Sequence, residues 1–261
     1  MNAVIQQHDD DHVPGEKWEF NSDVAVKFDD MLSRSIAGYD QMRELVFDLG
    51  KRFIHDSNST VIDLGASRGE SVSAFTESPE FMDVEYFLLE VSEPMLAQMR
   101  ERFKGRDNIH PVSYDLRRNW SDISGMISNP FHTMYESTGY VPPTVLVQSI
   151  LTLIFVPINF RQSILKGVYE GLSHGGAFIM VEKVLGDNAE MQEIMVDSYH
   201  EYKNRNGYSW EAIERKRAAL EGVQVPLRNE ENIAMLRSAG FKSVDTFWRH
   251  LNFCGYLCIK D

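Results

Sequence analysis

Asp63-Leu-Gly-Ala-Ser-Arg-Gly69 is the segment of this chain whose residue types and spacing are best suited to chemistry. Its two glycines let the backbone turn sharply and approach a ligand closely, and the N–H groups that follow can be aimed at polar atoms. The spacing Gly65-x-x-x-Gly69 lacks the middle glycine of a dinucleotide fingerprint, and no P-loop Lys-Ser/Thr pair follows it. Glu90 comes 27 residues after Asp63 and closes the apolar run Tyr86-Phe-Leu-Leu. A carboxylate there can accept hydrogen bonds from both hydroxyls of a ribose. Asp115 closes a further strand in the same way, where an adenine amino group can be read. A glycine turn and two carboxylates at three successive strand ends converge on one crevice, the place where open α/β sheets bind ligands.

The elements that must position these groups follow from hydrophobic period. From Asn21 the pattern is helical, with Ser22-Asp23 as a cap and Phe28, Met31, Leu32 and Ile36 on one face. A second amphipathic helix is expected over 40–53. Short apolar strands are expected at 60–65, 85–90, 110–114, 144–150 and 177–184, with helices at 70–76, 92–103 and 162–172 between them. Helices at 189–203, 210–220 and 230–239 follow, the last ended by Gly240, and then strands at 243–247 and 253–259. Alternation of strands and helices predicts an α/β fold with a doubly wound, mostly parallel sheet covered on both faces. Two strands after the last helix point to a final strand inserted antiparallel. The stretch 120–143 reads as a long loop beside the crevice, of the kind that forms lids or partner contacts.

Composition narrows the classes. The chain has 261 residues, 43% apolar and 25% charged, which excludes disordered, collagen-like and disulfide-scaffold proteins. With 26 Lys+Arg against 39 Asp+Glu the net charge is −13, which argues against direct nucleic-acid binding through phosphates. Cys254 and Cys258 fall on one face of a strand, too far apart for a mutual disulfide, and fit a reducing compartment. The acidic start lacks the basic and apolar regions of a signal peptide, and the longest apolar stretch, 145–158, is too short to span a membrane. A cytoplasmic location is expected. Residues 1–16 read as a disordered tail whose His8-Asp-Asp-Asp-His12 run is better explained as solvated charge than as a metal site, and no metal is expected. Residues 17–261 read as one domain, with helical additions at about 20–55 and 186–222.

Asp63-Leu-Gly65, Glu90 and Asp115 resemble the first three motifs of class I S-adenosylmethionine-dependent methyltransferases. Further segments narrow the resemblance. Trp18-x-Phe20, Arg34-Ser-x-x-Gly-Tyr39, Gly175-Gly-Ala177, Glu182-Lys183, Lys203-x-x-Asn-Gly-Tyr-Ser209, Lys216-Arg217 and Ala239-Gly-Phe241 with Asn252-Phe253 are similar to the carboxy-S-adenosylmethionine synthases, once described as tRNA wobble-uridine methyltransferases. The similarity runs through nearly the whole chain from Trp18. It implies that S-adenosylmethionine or carboxy-S-adenosylmethionine is bound by Tyr39, by Gly65, Ala66 and Ser67, by Glu90 and Val91 at the ribose, and by Asp115 and Leu116 at the adenine. It also implies that Arg217 pairs with the extra carboxylate, which a guanidinium fork holds bidentately. Ala66 stands where the family has Cys, Val91 where it has an Asn, and Ile150 where it has an Asn at the end of the fourth strand.

The resemblance implies an enzyme that uses prephenate to carboxylate the sulfonium methyl, releasing phenylpyruvate, in a homodimer that hands its product to another protein. Its protein contributes position, a dry pocket and a cation. No side chain is identified as the general base. A methyltransferase acting on a small molecule or an RNA, with specificity set by 120–143, is the alternative on the same fold, and a non-catalytic binding protein is a third.

Overall fold

The computed structural model of the protein describes residues 17–130 and 142–261. In chain order the elements are α1 (Ser22–Ser35), α2 (Tyr39–Gly50), β1 (Thr60–Leu64), α3 (Ser73–Thr76), β2 (Glu85–Glu90), α4 (Glu93–Arg102) and β3 (Ile109–Ser113). Then come α5 (Trp120–Ser128), β4 (Thr144–Ile150), α6 (Ile158–Gly171), β5 (Ala177–Leu185), α7 (Ala189–Arg205) and α8 (Trp210–Leu220). The chain closes with β6 (Leu227–Arg228), α9 (Asn229–Ala239), β7 (Ser243–His250) and β8 (Phe253–Ile259).

The sheet order is β3-β2-β1-β4-β5-β8-β7, with β6 paired to β5 off this path. Strands β1 to β5 pair in parallel, whereas β8 lies antiparallel between β5 and β7, as the sequence predicts. Every position of β1 is buried, because helices cover both faces of the sheet. Side-chain alternation divides the core. Ile62, Leu64, Phe87 and Leu89 pack with Ile123, Ile164 and Leu236, while Val61, Tyr86 and Leu88 pack with Met42, Val46, Phe75 and Met99. Strand order reverses between β1 and β4, so a crevice opens beyond their carboxyl ends.

Several expectations are corrected. Asn21, not Ser22 or Asp23, caps α1, its side chain accepting from Val24 N. Residues 70–72 are not helical: Gly69 N donates to Ala66 O and Ser73 N to Glu70 O, so tight turns use up the polar groups of the first expected helical turn and only α3 remains. Strand β3 begins and ends one residue earlier than expected, leaving Asp115 two residues beyond it. The 120–143 loop is also partly wrong. Asn119 caps α5, whose Ile123, Met126 and Ile127 are buried. This helix lies so close to α6 that a Cβ on Gly167 would meet the Ile123 side chain at 2.7 Å. Residues 131–141 of that stretch, and the expected tail 1–16 with its His8–His12 run, lie outside the described residues.

Both cysteines are free and buried in β8, as their strand spacing predicts. Among the described residues no helix is long and apolar enough to cross a membrane.

Candidate functional site

The crevice is a cavity of about 1050 Å³. Tyr39, Gly65, Ala66, Ser67, Glu90, Val91, Asp115, Leu116 and Arg217, the residues named from sequence, all line it. So do Phe28, Met31 and Leu32, the apolar stripe of α1, and Ile36 just beyond its end, which form part of its wall.

The turn after β1 is bolted to the end of β2. Gly65 N and Ala66 N both donate to Leu89 O, at 2.8 and 2.9 Å. Gly65 has φ +74°, and a Cβ there would stand 2.3 Å from the Thr152 side chain, so glycine is required both by conformation and by space. Ser67 also adopts a left-handed conformation, φ 51°, which turns its N–H onto Glu90 Oε2 at 2.9 Å. Val91 N and Ser92 N donate to Glu90 Oε1 at 2.8 Å each. An ionised carboxylate offers about four acceptor sites, so Glu90 is fixed by backbone yet keeps capacity for a hydroxyl.

Asp63 does not line the cavity; it is buried behind the turn. Ser71 Oγ donates to it and Gln148 lies beside it, but burial dominates and pushes its carboxyl up to about 7, with Glu90 and Glu70 adding to the rise. Its role is to hold the turn.

Asp115 is more exposed and clamped by Arg117. The Arg117 Nε lies 3.0 Å from both carboxylate oxygens, Nη2 is 2.6 Å from Oδ2, and the Arg117 N–H donates to Oδ1 at 2.9 Å. The guanidinium hydrogen bonds hold the Asp115 carboxyl below the usual range. To accept from an adenine amino group, Asp115 must share these contacts. Arg217 is engaged in the same way, its guanidinium bidentate on Glu214 one turn earlier at 2.5–3.0 Å. The Tyr39 ring is buried with Arg43 5.6 Å from its centroid, and burial raises its hydroxyl pKa.

The far end of β4 completes the wall. Ile150 lines the cavity as an apolar residue, and Leu151, with φ 58°, donates its N–H to Val181 O. Gln148 and Ser149 are buried and do not line it. Beneath this segment Glu182 is buried and accepts from Leu153 N at 3.0 Å, while Arg161 donates to the carbonyls of Val156 and Ile154 at 2.8 and 3.2 Å. Burial lifts the Glu182 carboxyl to about 8; Arg161 and neighbouring backbone N–H groups oppose the rise. The pair holds the 151–157 wall in place.

A cationic wall extends the set of residues named as ligand contacts from sequence. Lys183, Tyr199, His200, Lys203 and Lys216 line the cavity together with Arg217. Ammonium groups and rings alternate: Lys183 Nζ is 4.9 Å from the Tyr199 centroid and Lys203 Nζ 5.6 Å from it. Lys203 and Lys216 are then 5.1 and 5.6 Å from Tyr208, and Lys216 is 4.9 Å from Trp18. Lys183, Lys203 and Lys216 stand in segments that carry the resemblance, and the i, i+4 spacing of Tyr199 and Lys203 puts both on one face of α7.

No family model matches the chain. Among curated proteins it is 32% identical over 244 residues to the carboxy-S-adenosyl-L-methionine synthase of Nautilia profundicola, covering 94% of this chain and 95% of that protein. It is 31% identical to the proteins of the same name from Methylococcus capsulatus, over 92% of this chain and 93% of the relative, and Staphylococcus epidermidis, over 94% and 97%. Solved structures share the fold. An O-methyltransferase family protein from Burkholderia thailandensis matches with TM-score 0.61 at 14% identity, over 93% of this chain and 61% of that one. PigF, solved with SAH, matches with TM-score 0.56 at 16% identity, over 92% and 60%. The chain therefore spans about three fifths of the length of these two structures.

Proposed function

The chain belongs to the carboxy-S-adenosyl-L-methionine synthase family, and from that premise we propose that it converts S-adenosylmethionine and prephenate to carboxy-S-adenosylmethionine and phenylpyruvate, the prephenate hydroxyl and the methyl proton leaving as water. The product is a reagent for tRNA wobble-uridine modification by another protein, since a chain of net charge −13 is poorly suited to hold the RNA itself.

The residues fit the nucleoside. Gly65, Ala66 and Ser67 form a close-approach turn, Glu90 keeps acceptor capacity while three backbone N–H groups fix it, and Asp115 and Leu116 stand at the cavity edge. When bound, S-adenosylmethionine supplies a sulfonium whose methyl group is both electrophilic and acidic. Tyr39 and the apolar residues of α1 give the cavity an apolar wall, and Arg217 receives the added carboxylate by exchanging it for Glu214. A cavity of about 1050 Å³ lies at the upper end of small-molecule sites, consistent with a second substrate beside the first.

The observation that carries this reading is that Arg217, a cation that plain methyl transfer does not need, lines the same cavity as the Gly65–Ser67 turn and Glu90. Free, buried Cys254 and Cys258 suit the cytoplasm. Incubating the purified protein with S-adenosylmethionine and prephenate should give a product heavier than S-adenosylmethionine by one carbon dioxide, read by mass spectrometry; native spectra of the same sample should report a homodimer. Arg217→Met should weaken the product's binding by about tenfold or more while changing S-adenosylmethionine binding much less. Formation of S-adenosylhomocysteine with an acceptor, without dependence on prephenate, would replace this reading by methyl transfer.

A further inference from the structure

The cationic wall has a chemistry of its own. Lys183 sits two residues before the end of β5, half-buried, directly opposite Phe253 in the β5–β8 register. Tyr199 reaches it from α7, and the Tyr199 and Phe253 rings meet edge to face with centroids 5.6 Å apart. Among the described residues Lys183 forms no ion pair; its neighbour is the face of Tyr199. Burial draws the Lys183 ammonium down to about 8, and His200 is held below its ordinary value by burial and by Lys203 and Lys183. A part-buried ammonium such as that of Lys183 is costly on a cavity wall without an anion to face it.

We propose that Lys183, flanked by Lys203 and set beside the aromatic pair Tyr199 and Phe253, anchors a carboxylate of the second substrate, a small organic acid with a flat, apolar body. The ammonium donates to the carboxylate, while the rings take the body of the acid by edge and face contact. A polymeric anion does not suit the site, because the cationic groups line a cavity and the chain as a whole carries a net charge of −13. Naming the acid as prephenate rests on the proposed function; the anchoring role of Lys183 does not. The subsite differs from the Arg217 site in what it holds: Arg217 receives the carboxylate gained by the sulfonium compound, whereas Lys183 holds the acid that brings it.

The test uses full-length protein loaded with S-adenosylhomocysteine and titrated calorimetrically with prephenate and, separately, with phenylpyruvate. In Lys183→Met both acids should bind about tenfold or more weakly, and the KM for prephenate should rise by a similar factor with kcat much less affected. Lys183→Arg should recover part of the loss, and affinity for S-adenosylmethionine should stay within about twofold in both variants. Unchanged acid binding in Lys183→Met overturns the proposal, as does a loss confined to S-adenosylmethionine. Melting curves accompany each variant, and Lys183→Gln takes the place of Lys183→Met if the latter does not fold. If the wild type makes no carboxylated product from prephenate, the proposed function fails. The subsite is then judged by phenylpyruvate and malonate alone: binding that depends on Lys183 sustains it, and binding that does not removes it.

Discussion

The two walls of the cavity are built by different means. On the β1–β2 side, Gly65, Ala66, Ser67, Val91 and Ser92 donate backbone N–H groups to Leu89 O or to the Glu90 carboxylate, so the polar atoms are fixed by main chain at strand ends. On the α7–α8 side, Lys183, Lys203 and Lys216 lie against the rings of Tyr199, Tyr208 and Trp18, and the charges are held by side chains from separate elements. A main-chain wall is rigid and can recognise one invariant group, such as a ribose. A wall of side chains can be retuned by substitution without disturbing the sheet, which suits a co-substrate or product.

The comparison breaks most directly at Glu90. Glu90→Ala removes the acceptor of three backbone N–H groups along with the expected ribose contact. Calorimetry should read a fall in S-adenosylmethionine affinity of about a hundredfold, because a charge-assisted hydrogen bond and the shape of the turn are lost together. A loss of less than about threefold would place the nucleoside elsewhere.

Backbone rigidity is tested by stability. Gly65→Ala forces a side chain into a φ of +74° and against Thr152, and should lower unfolding free energy by about 2–3 kcal/mol in urea titrations. Arg217→Ala, on the exposed side-chain wall, should stay within about 0.5 kcal/mol. Equal effects at the two positions would erase the distinction between the walls.

How far each wall was legible in the sequence follows from the same contrast. Gly65, Glu90 and Asp115 stand at the ends of apolar runs, where strand period and a turn residue suffice to locate them, and the parallel order with its antiparallel close follows from the alternation of elements. Helix α5 falls in the 120–143 stretch, which reads as one long loop although Ile123, Met126 and Ile127 have helical spacing. Lys183 and Lys203 stand in segments that carry the resemblance, yet their meeting on one wall is not legible there: the Tyr199 ring is 16 residues from Lys183 along the chain, and the approach of Tyr208 to Lys203 depends on how the chain turns after α7. Arg217 was reached through the family resemblance, since Arg215-Lys-Arg217 alone reads as solvated charge.

Buried carboxyls give the main-chain wall a pH signature. Asp63 is raised from 3.8 to about 7 chiefly by burial, so between those values the folded protein binds more protons than the unfolded chain. Stability contributed by this group is therefore present at low pH and is lost as pH rises through about 7; Glu182, raised to about 8, acts in the same direction. The wild type should lose urea resistance between pH 5 and pH 8. Asp63→Asn, which keeps an acceptor for Ser71, should flatten that slope by on the order of 1 kcal/mol. A slope unchanged by Asp63→Asn would mean that the turn is held without a protonated Asp63.

The smallest effect belongs to the side-chain wall and sharpens what it does. Arg217 is bidentate on Glu214, one turn away and exposed, so a ligand carboxylate must displace an internal one to reach the same guanidinium. Exposed pairs of this spacing are weak, so Glu214 sets a low threshold and does not close the site. Glu214→Gln removes the competing charge while leaving α8 intact, and should tighten carboxy-S-adenosylmethionine binding by roughly twofold, more at low ionic strength than at high. S-adenosylmethionine, which lacks the extra carboxylate, should bind Glu214→Gln as it binds the wild type. If both compounds gain equally, Glu214 acts on the cavity's overall field and not on Arg217, and the two walls then differ in construction without differing in what they discriminate.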